Sequence, residues 1–298
     1  MTSRNRPSIL HRTAGNGALF PALFVVLWST GFIAGKFSLS GAGPFSFLAV
    51  RFSIVAAVFL GVSVATRAPW PGWRRVGRLA LSGILLQAGY LNCTFAAMAN
   101  GVEPGIAALV LGLQPLLTAG LAGWLLGERV TWKQWLGLIL GLAGVALVVE
   151  DKLSLGHTSV PGLVFALLAA LSLTAGTLWQ KRVGGAMDLR TGSFIQFFAS
   201  ALVTAPIAAV VEGFRITWSV QVIGALAWLC LVLSFGALPL LFVLIRRGEA
   251  SRVGSLFFLV PPVTALFGYV CFGDTLNEGV FAGMVLVCAS IALVNARR

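Results

Sequence analysis

Polar and aromatic side chains lie in the middle of long apolar segments, where their chemistry is hydrogen bonding and stacking rather than bond making. The polar ones are amides, hydroxyls and one phenol, at Ser29, Gln87, Tyr90, Gln114, Gln180 and Ser234. Trp28 and Trp179 could present indole rings to an apolar or aromatic ligand. Inside a membrane such polar residues indicate a substrate site, and their alternative role is to hold neighbouring helices together.

Spacing and charge add to this candidate site. Gln87 and Tyr90 are three residues apart, which places them on one face of an α-helix, and Gly83 extends that face. Arg51 is the one charged residue well inside an apolar segment. It either meets a substrate carboxylate or ties together helix-end carbonyls, and we favour the structural role. Lys36 lies near a segment end, where its side chain can reach the lipid headgroups.

The segments that position these residues are too apolar for a soluble protein. Of the 298 residues 58% are hydrophobic and only 10% are charged, against about 25% charged in soluble domains. A helix needs about 20 apolar residues to cross a bilayer. We therefore predict an all-α membrane protein with ten spans, at 18–38, 44–66, 76–98, 104–126, 133–149, 161–181, 190–211, 219–245, 252–272 and 279–295.

The basic residues follow the order of these spans. Of the 21 lysines and arginines, 17 lie before the first span or after an even-numbered one. Because positive residues stay on the cytoplasmic side, both termini are predicted to be cytoplasmic. The net charge of +12 therefore indicates membrane orientation, and no nucleic-acid partner is expected.

The chain is also internally repeated. A shift of 146 residues aligns LQPLLTAGLAGWLLGE at 113–128 with LVPPVTALFGYVCFGD at 259–274, and a shift of 145 pairs Lys36 with Lys181. This predicts a cytoplasmic segment at 1–17, a five-helix repeat at 18–149, a periplasmic linker at 150–160, a second repeat at 161–295 and a cytoplasmic end at 296–298. Because five is odd, the second copy is inverted, which is typical of transporters with a site between the copies.

Hinges or kinks are expected at equivalent positions of the two copies. Pro115 and Pro261 are paired by the repeat, as are Gly31 and Gly176. Proline removes a backbone N–H and breaks a helix interior, which is tolerated at membrane depth where the freed carbonyls are buried or line a cavity. The alternative is a simple packing kink, since proline is frequent in membrane helices.

Several motifs together resemble the drug/metabolite transporter superfamily in its bacterial EamA-type branch. They are WSTGF at 28–32, LAVRF at 48–52, and the paired segments LLGERVTWKQWLGLILGLAGVAL and CFGDTLNEGVFAGMVLVCASIAL. The resemblance covers nearly the whole chain. It implies a basket-like bundle with a central cavity that moves metabolites by alternating access, most similar to exporters of amino acids, with aromatic ones among the cargoes.

The remaining function classes are less well supported. An enzyme is not expected, because no histidine lies in a span and no metal-ligand cluster or phosphate-binding loop is present, and no cofactor is expected. None of the nine acids lies mid-span, which favours transport without obligatory proton coupling. Glu103 and Glu249, at matched span starts, are the residues that could overturn this.

Other cargoes and partners remain as alternatives to amino-acid export. They are a drug-like compound, an organic acid or a nucleotide-sugar, with proton coupling left open. The expected partners are a small-molecule substrate and membrane lipid. We predict a monomer in the bacterial inner membrane, with a dimer through Gly137 and Gly141 as the alternative.

Overall fold

The chain folds into a bundle of helices. The computed structural model describes residues 19–114, 117–118, 121, 132–154, 159–183, 187–237, 240 and 259–295. These residues contain no β-strand, and the all-α prediction is confirmed. In chain order the helices are α1 (Leu19–Ser38), α2 (Pro44–Ala65), α3 (Trp73–Ala99), α4 (Pro104–Leu111), α5 (Trp132–Ser154), α6 (Val160–Val183), α7 (Leu189–Glu212), α8 (Val220–Ala237), α9 (Val260–Phe272) and α10 (Glu278–Asn295).

The helices have the length and surface of membrane spans. Five of them, α2, α3, α6, α7 and α8, are long and apolar enough to cross a membrane, and α1, α5, α9 and α10 contain shorter apolar stretches. Large apolar side chains point outward along them, as at Val210, which is 86% exposed. Tryptophans that suit the membrane–water interface are exposed near helix ends, at Trp70, Trp73, Trp132, Trp135 and Trp218. The chain is therefore a multi-pass membrane protein.

Local signals set several helix ends. Pro44 occupies the first turn of α2, where proline costs no hydrogen bond. The Glu212 carboxylate accepts the backbone N–H groups of Phe45 and Ser46 at 3.0 and 2.6 Å, so the end of α7 caps the start of α2. The Asp188 side chain caps α7 in turn. A hydrogen bond from the Arg190 side chain holds the pKa of Asp188 at about 2, which keeps this cap ionised.

The packing follows the repeat. Helices that the repeat makes equivalent contact each other, α2 with α7, α4 with α9 and α5 with α10. Non-equivalent helices also make contacts in matched pairs. Helix α1 packs on α8, and their equivalents α6 and α3 pack on each other. Phe52 and Phe197 are equivalent at a shift of 145 residues, and their ring centroids lie 6.1 Å apart. Contact between equivalent residues is what a twofold relation between the copies produces.

Two helices widen into π-helical turns at equivalent places. Ile84–Gly89 of α3 and Leu229–Ala237 of α8 are π-helical, and a shift of 145 residues places Ile84 on Leu229. Such turns occur often at functional sites. The shared face expected for Gln87 and Tyr90 requires regular α-helical spacing between them. The first lies in this turn and the second follows it, so the three-residue rule for a shared face does not apply to them.

The predicted proline kinks take a different form in the structure. Pro261 lies in the first turn of α9, so it begins the described helix instead of interrupting it. Pro115 lies outside the described residues, and α4 ends before it at Leu111. Gly31 and Gly176 lie inside uninterrupted helices, where they allow close packing.

The described helix bounds differ in places from the predicted ones. Helix α5 continues to Ser154, into the segment predicted as a linker at 150–160. Helix α8 is described to Ala237, whereas the predicted span ran to residue 245. The predicted terminal segments at 1–17 and 296–298 lie outside the described residues, as does Glu249.

Close backbone contact between α3 and α7 gives a direct stability test. A Cβ atom at Gly83 would lie 2.7 Å from the Gln196 carbonyl carbon and would overlap its Cα, whereas one at Gly77 meets nothing within 4 Å. Backbone cannot rotate away as a side chain can, so we expect Gly83→Ala to cost at least about 1–3 kcal/mol. The melting midpoint of the protein in detergent should fall for Gly83→Ala and stay unchanged for Gly77→Ala. Equal midpoints in the two variants would contradict this packing.

Candidate functional site

A buried arginine lies where α2 meets the π-helical turn of α8. Arg51 is 4% exposed. Its Nη2 donates to the Leu229 carbonyl oxygen at 3.4 Å and to the Ser234 hydroxyl oxygen at 3.2 Å. The Ser234 hydroxyl itself donates to the Leu229 carbonyl at 3.0 Å. Among the described residues, Nε and Nη1 of Arg51 have no hydrogen-bond partner, so the side chain is held there at one nitrogen only.

Two aromatic residues complete this cluster. Tyr90 of α3 is 6% exposed, and its hydroxyl has the Trp28 side chain of α1 as a hydrogen-bond partner. Tyr90 and Cys230 lie near enough to the guanidinium of Arg51 for their charges to interact. We call Trp28, Arg51, Tyr90, Cys230 and Ser234 the Arg51 cluster. It joins four helices, α1, α2, α3 and α8, and contains three of the predicted site residues.

The charge of this cluster has no counterion among the described residues. The ion pairs of the described chain are Lys36–Asp274 and Arg190–Asp188, and neither involves Arg51. An unpaired cation removed from water is costly. The sequence favours an Arg51 that ties together helix-end carbonyls. In the structure Arg51 contacts one carbonyl, that of Leu229 inside α8, through one of its three nitrogens.

A second polar group connects α6 to the residues after α4. Gln114 Nε2 donates to Thr177 Oγ1 at 3.3 Å and to Thr118 Oγ1 at 3.4 Å. The Gln87 side chain is 5% exposed. The Ser29 hydroxyl donates to the Val260 carbonyl at 3.4 Å, which places Ser29 against the start of α9. Gln114 and Ser29 therefore face the other repeat, and Gln87 is buried inside the bundle.

The structure places Trp179 and Gln180 elsewhere. The Trp179 indole N–H donates to the Arg78 carbonyl at 2.9 Å. Gln180 Oε1 accepts from the Ser82 hydroxyl and, at 2.9 Å, from Gln196 Nε2. Arg78 precedes Tyr90 by 12 residues of α3, about 18 Å at 1.5 Å per residue. These two predicted site residues thus form a separate network near one end of the bundle, and the structure does not bring them to the Arg51 cluster.

The predicted hinge glycines pack against the π-helical turns. A Cβ atom at Gly31 would overlap the Leu233 side chain of α8, and one at Gly176 would lie 2.8 Å from the Leu86 side chain of α3. Each π-helical turn therefore packs against a glycine in a helix of the opposite repeat. The absence of a side chain lets α1 and α6 approach these turns closely.

An ion pair joins two helices at the end of the bundle that the charge pattern predicts to be periplasmic. Lys36 Nζ lies 2.8 Å from Asp274 Oδ1 and 4.3 Å from the Phe272 ring centroid. This pair connects the end of α1 to the loop after α9, so Lys36 does not extend to the headgroups as expected. A cavity of about 10 Å³ lies beside the pair, lined in part by Glu103 and Asp274.

Sequence reasoning missed two parts of this arrangement. The ion pair between Lys36 and Asp274 joins residues 238 positions apart. The one related feature of the sequence is that the two aligned segments of the repeat both end in an acidic residue. The π-helical turns have no signature in the residue pattern. Within the described part of the chain, no group of three or more His, Cys, Asp or Glu side chains could hold a metal ion.

The family comparison matches almost the entire chain. The model of the EamA-like transporter family matches residues 15–150 and again residues 160–296. A solved crystal structure superposes with a TM-score of 0.66, at 21% identity, over 94% of this chain and 96% of that one. At this identity the likeness concerns the fold alone.

Curated relatives have the names of transporters. An uncharacterized transporter of Bacillus subtilis is 29% identical over 94% of this chain and 92% of its own length. Proteins named "Probable amino-acid metabolite efflux pump" from Salmonella typhimurium and Escherichia coli are 28% and 27% identical over 90% of this chain and 91% of theirs. The names describe membrane transporters, not enzymes.

The contact between Gly31 and Leu233 predicts a compensating pair of substitutions. Gly31→Ala should lower the melting midpoint in detergent, because the new methyl group displaces Leu233 at a cost of about 1–3 kcal/mol. Adding Leu233→Ala makes room for that methyl group, so the double variant should be more stable than the sum of the single effects. Gly61→Ala is the matched control, since nothing lies within 4 Å of its Cβ position. Strict additivity would contradict the contact.

Proposed function

The chain belongs to the EamA-like transporter family, and from this premise we propose that it exports amino acids, aromatic and other apolar ones, across the bacterial inner membrane. It crosses the membrane ten times with both termini in the cytoplasm, as two inverted five-helix repeats. The two family matches, the alternating basic residues and the exchange of packing contacts between the copies support this topology. It works by alternating access around a site between the copies.

The Arg51 cluster is the observation that carries the choice of cargo. It combines a cation, two aromatic side chains and a hydroxyl at the contact of helices from both repeats. Such a set suits a small molecule with one carboxylate and an apolar side chain. The names of two relatives, both matched over 90% of this chain, agree with amino acids as that class.

Transport without obligatory proton coupling follows from the charge distribution. All nine acids of the sequence lie at loops or span ends, and a proton-coupled carrier places a titratable group in the membrane path. The protein therefore moves its cargo down the existing gradient, outward when the cytoplasmic concentration is higher.

The test is counterflow in liposomes without any ion gradient. Liposomes loaded with unlabelled phenylalanine should accumulate radiolabelled phenylalanine, tryptophan, leucine or methionine. Tyr90→Phe removes the hydroxyl that pairs with Trp28, so Trp28 is held less firmly beside the cargo. The half-saturation concentration should rise about 3- to 10-fold, which corresponds to the free energy of one hydrogen bond. Tyr269→Phe is the control, because Tyr269 is the only other tyrosine and is 55% exposed on α9. Uptake that requires an imposed proton gradient would refute uncoupled transport and direct attention to Glu103.

The Lys36–Asp274 ion pair makes a second prediction, about the transport cycle. While the pair is formed it holds α1 to the loop after α9, so it must open when that end of the bundle opens. The two side chains are 31% and 11% exposed, and such a pair contributes at most about 1 kcal/mol. Lys36→Ala or Asp274→Ala should therefore increase the population open at that end by up to about fivefold.

Spin labels on Ser40→Cys and Leu276→Cys, in a background without native cysteines, measure this opening by electron–electron double resonance. Both positions are exposed near the ion pair. Each single substitution should shift the distance distribution to longer values, and the charge exchange Lys36→Asp with Asp274→Lys should restore it. Arg215→Ala, at an exposed loop residue, should change nothing. Unchanged distances in both single variants would show that the pair does not hold this end closed.

A further inference from the structure

We propose that Arg51 binds the carboxylate of the transported molecule, and that this carboxylate, not an amino group, is what the site selects. This inference rests on the proposed transport function and deepens it. It assigns Arg51 as the residue that determines the class of cargo.

The Arg51 side chain is fixed in place and can still donate further hydrogen bonds. A guanidinium has five N–H groups. The bonds to Leu229 and Ser234 occupy Nη2, and they hold the planar group in one orientation. The N–H groups of Nε and Nη1 are buried and have no partner in the described part of the chain. A carboxylate offers the acceptors that these groups lack, in charge-assisted hydrogen bonds.

The positive charge of Arg51 has no negative partner among the described residues. Arg51 is 4% exposed, and the groups of the described chain whose charges interact with it are Cys230 and Tyr90. Neither a thiol nor a phenol is ordinarily ionised at neutral pH. Burying a cation without an anion costs several kcal/mol. An anionic cargo removes this cost when it binds, which makes binding favourable for carboxylates over neutral analogues.

The two repeats differ at the position of Arg51. Gln196 stands at the position equivalent to Arg51. Its Nε2 is occupied by Gln180 Oε1 at 2.9 Å and by the Met187 sulfur at 3.8 Å. Gln196 Oε1 has no partner among the described residues, but the side chain is neutral, so the equivalent place in the second copy has no charge. Among the described residues Arg51 is the one buried cation, which defines one position for one negative group.

The surroundings of Arg51 also determine what is not recognised. No aspartate or glutamate of the described chain pairs with the Arg51 cluster, so no carboxylate of the described residues forms an ion pair with an ammonium group there. Trp28, a hydrogen-bond partner of Tyr90, offers an aromatic surface to the apolar part of the cargo. The cargo class is therefore a monocarboxylate with an apolar side chain, whether or not it has an α-amino group.

Ligand chemistry tests this on the unaltered protein. In the counterflow assay with labelled phenylalanine, 3-phenylpropionate should compete about as well as unlabelled phenylalanine. Phenylalaninamide and phenethylamine, which lack the carboxylate, should compete at least about tenfold more weakly, the loss of one charge-assisted interaction of about 1.4 kcal/mol or more. Equal competition by phenylalaninamide would overturn the assignment and leave amino-acid transport intact.

A binding measurement separates this proposal from the transport function. In detergent at constant ionic strength, 3-phenylpropionate should raise the melting midpoint of the wild-type protein, because a ligand that binds the folded state stabilises it. Arg51→Lys should keep a reduced shift, and Arg51→Gln should lose it. The role of Arg51 would be overturned if neither 3-phenylpropionate nor phenylalanine shifted the melting midpoint. It would also be overturned if chloride at the same concentration gave an equal shift. A carboxylate-dependent shift without any counterflow would refute only the transport proposal.

Discussion

Polar atoms inside the bundle can be satisfied only by other parts of the chain, because hydrocarbon supplies no hydrogen bonds. Many hydroxyls meet this constraint within their own helix, as when Thr94 and Thr174 donate to carbonyls four residues earlier. Others bond between helices, as when Ser200 donates to the Gly83 carbonyl and Asn92 to Thr204. Several buried polar atoms of the described residues still have no partner, among them Asn92 Oδ1, Gln196 Oε1 and Thr264 Oγ1. Arg51 is the one cation of this group, with two of its three nitrogens unpaired among the described residues, and the proposed site rests on that unpaired charge.

The same constraint applies where the repeats meet. The π-helical turns of α3 and α8 lie at equivalent places, and each contacts a glycine of the opposite repeat. In α8 the turn presents the Leu229 carbonyl and the Ser234 hydroxyl to Arg51. In α3 the Ser172 hydroxyl of α6 donates to the Leu85 carbonyl. Irregular backbone is thus used for contacts between the copies, which is where a carrier must bind its cargo and change shape.

Much of the architecture follows from patterns that one sequence displays. Apolar length predicts the helices, and the internal similarity predicts two five-helix copies. In the structure equivalent helices of the copies meet, α2 with α7 and α4 with α9. Three predicted site residues, Trp28, Tyr90 and Ser234, come together in the structure. Trp179 and Gln180 do not join them, because the repeat aligns Trp28 with Leu173, so Trp179 lies six residues, about 9 Å, further along its helix. The π-helical turns depend on long-range packing that residue type does not encode, so the contacts of Leu229 with Arg51 could not be anticipated.

A distance measured by solid-state NMR shows directly whether a carboxylate of the cargo lies against Arg51. Protein labelled with ¹⁵N in its arginine side chains would be reconstituted in lipid with phenylalanine labelled with ¹³C at the carboxylate. Dipolar recoupling should report a carboxylate–guanidinium distance within about 4 Å, and the signal should disappear in Arg51→Lys while ligand still binds. Bound phenylalanine without any such coupling in the wild-type protein would contradict the account.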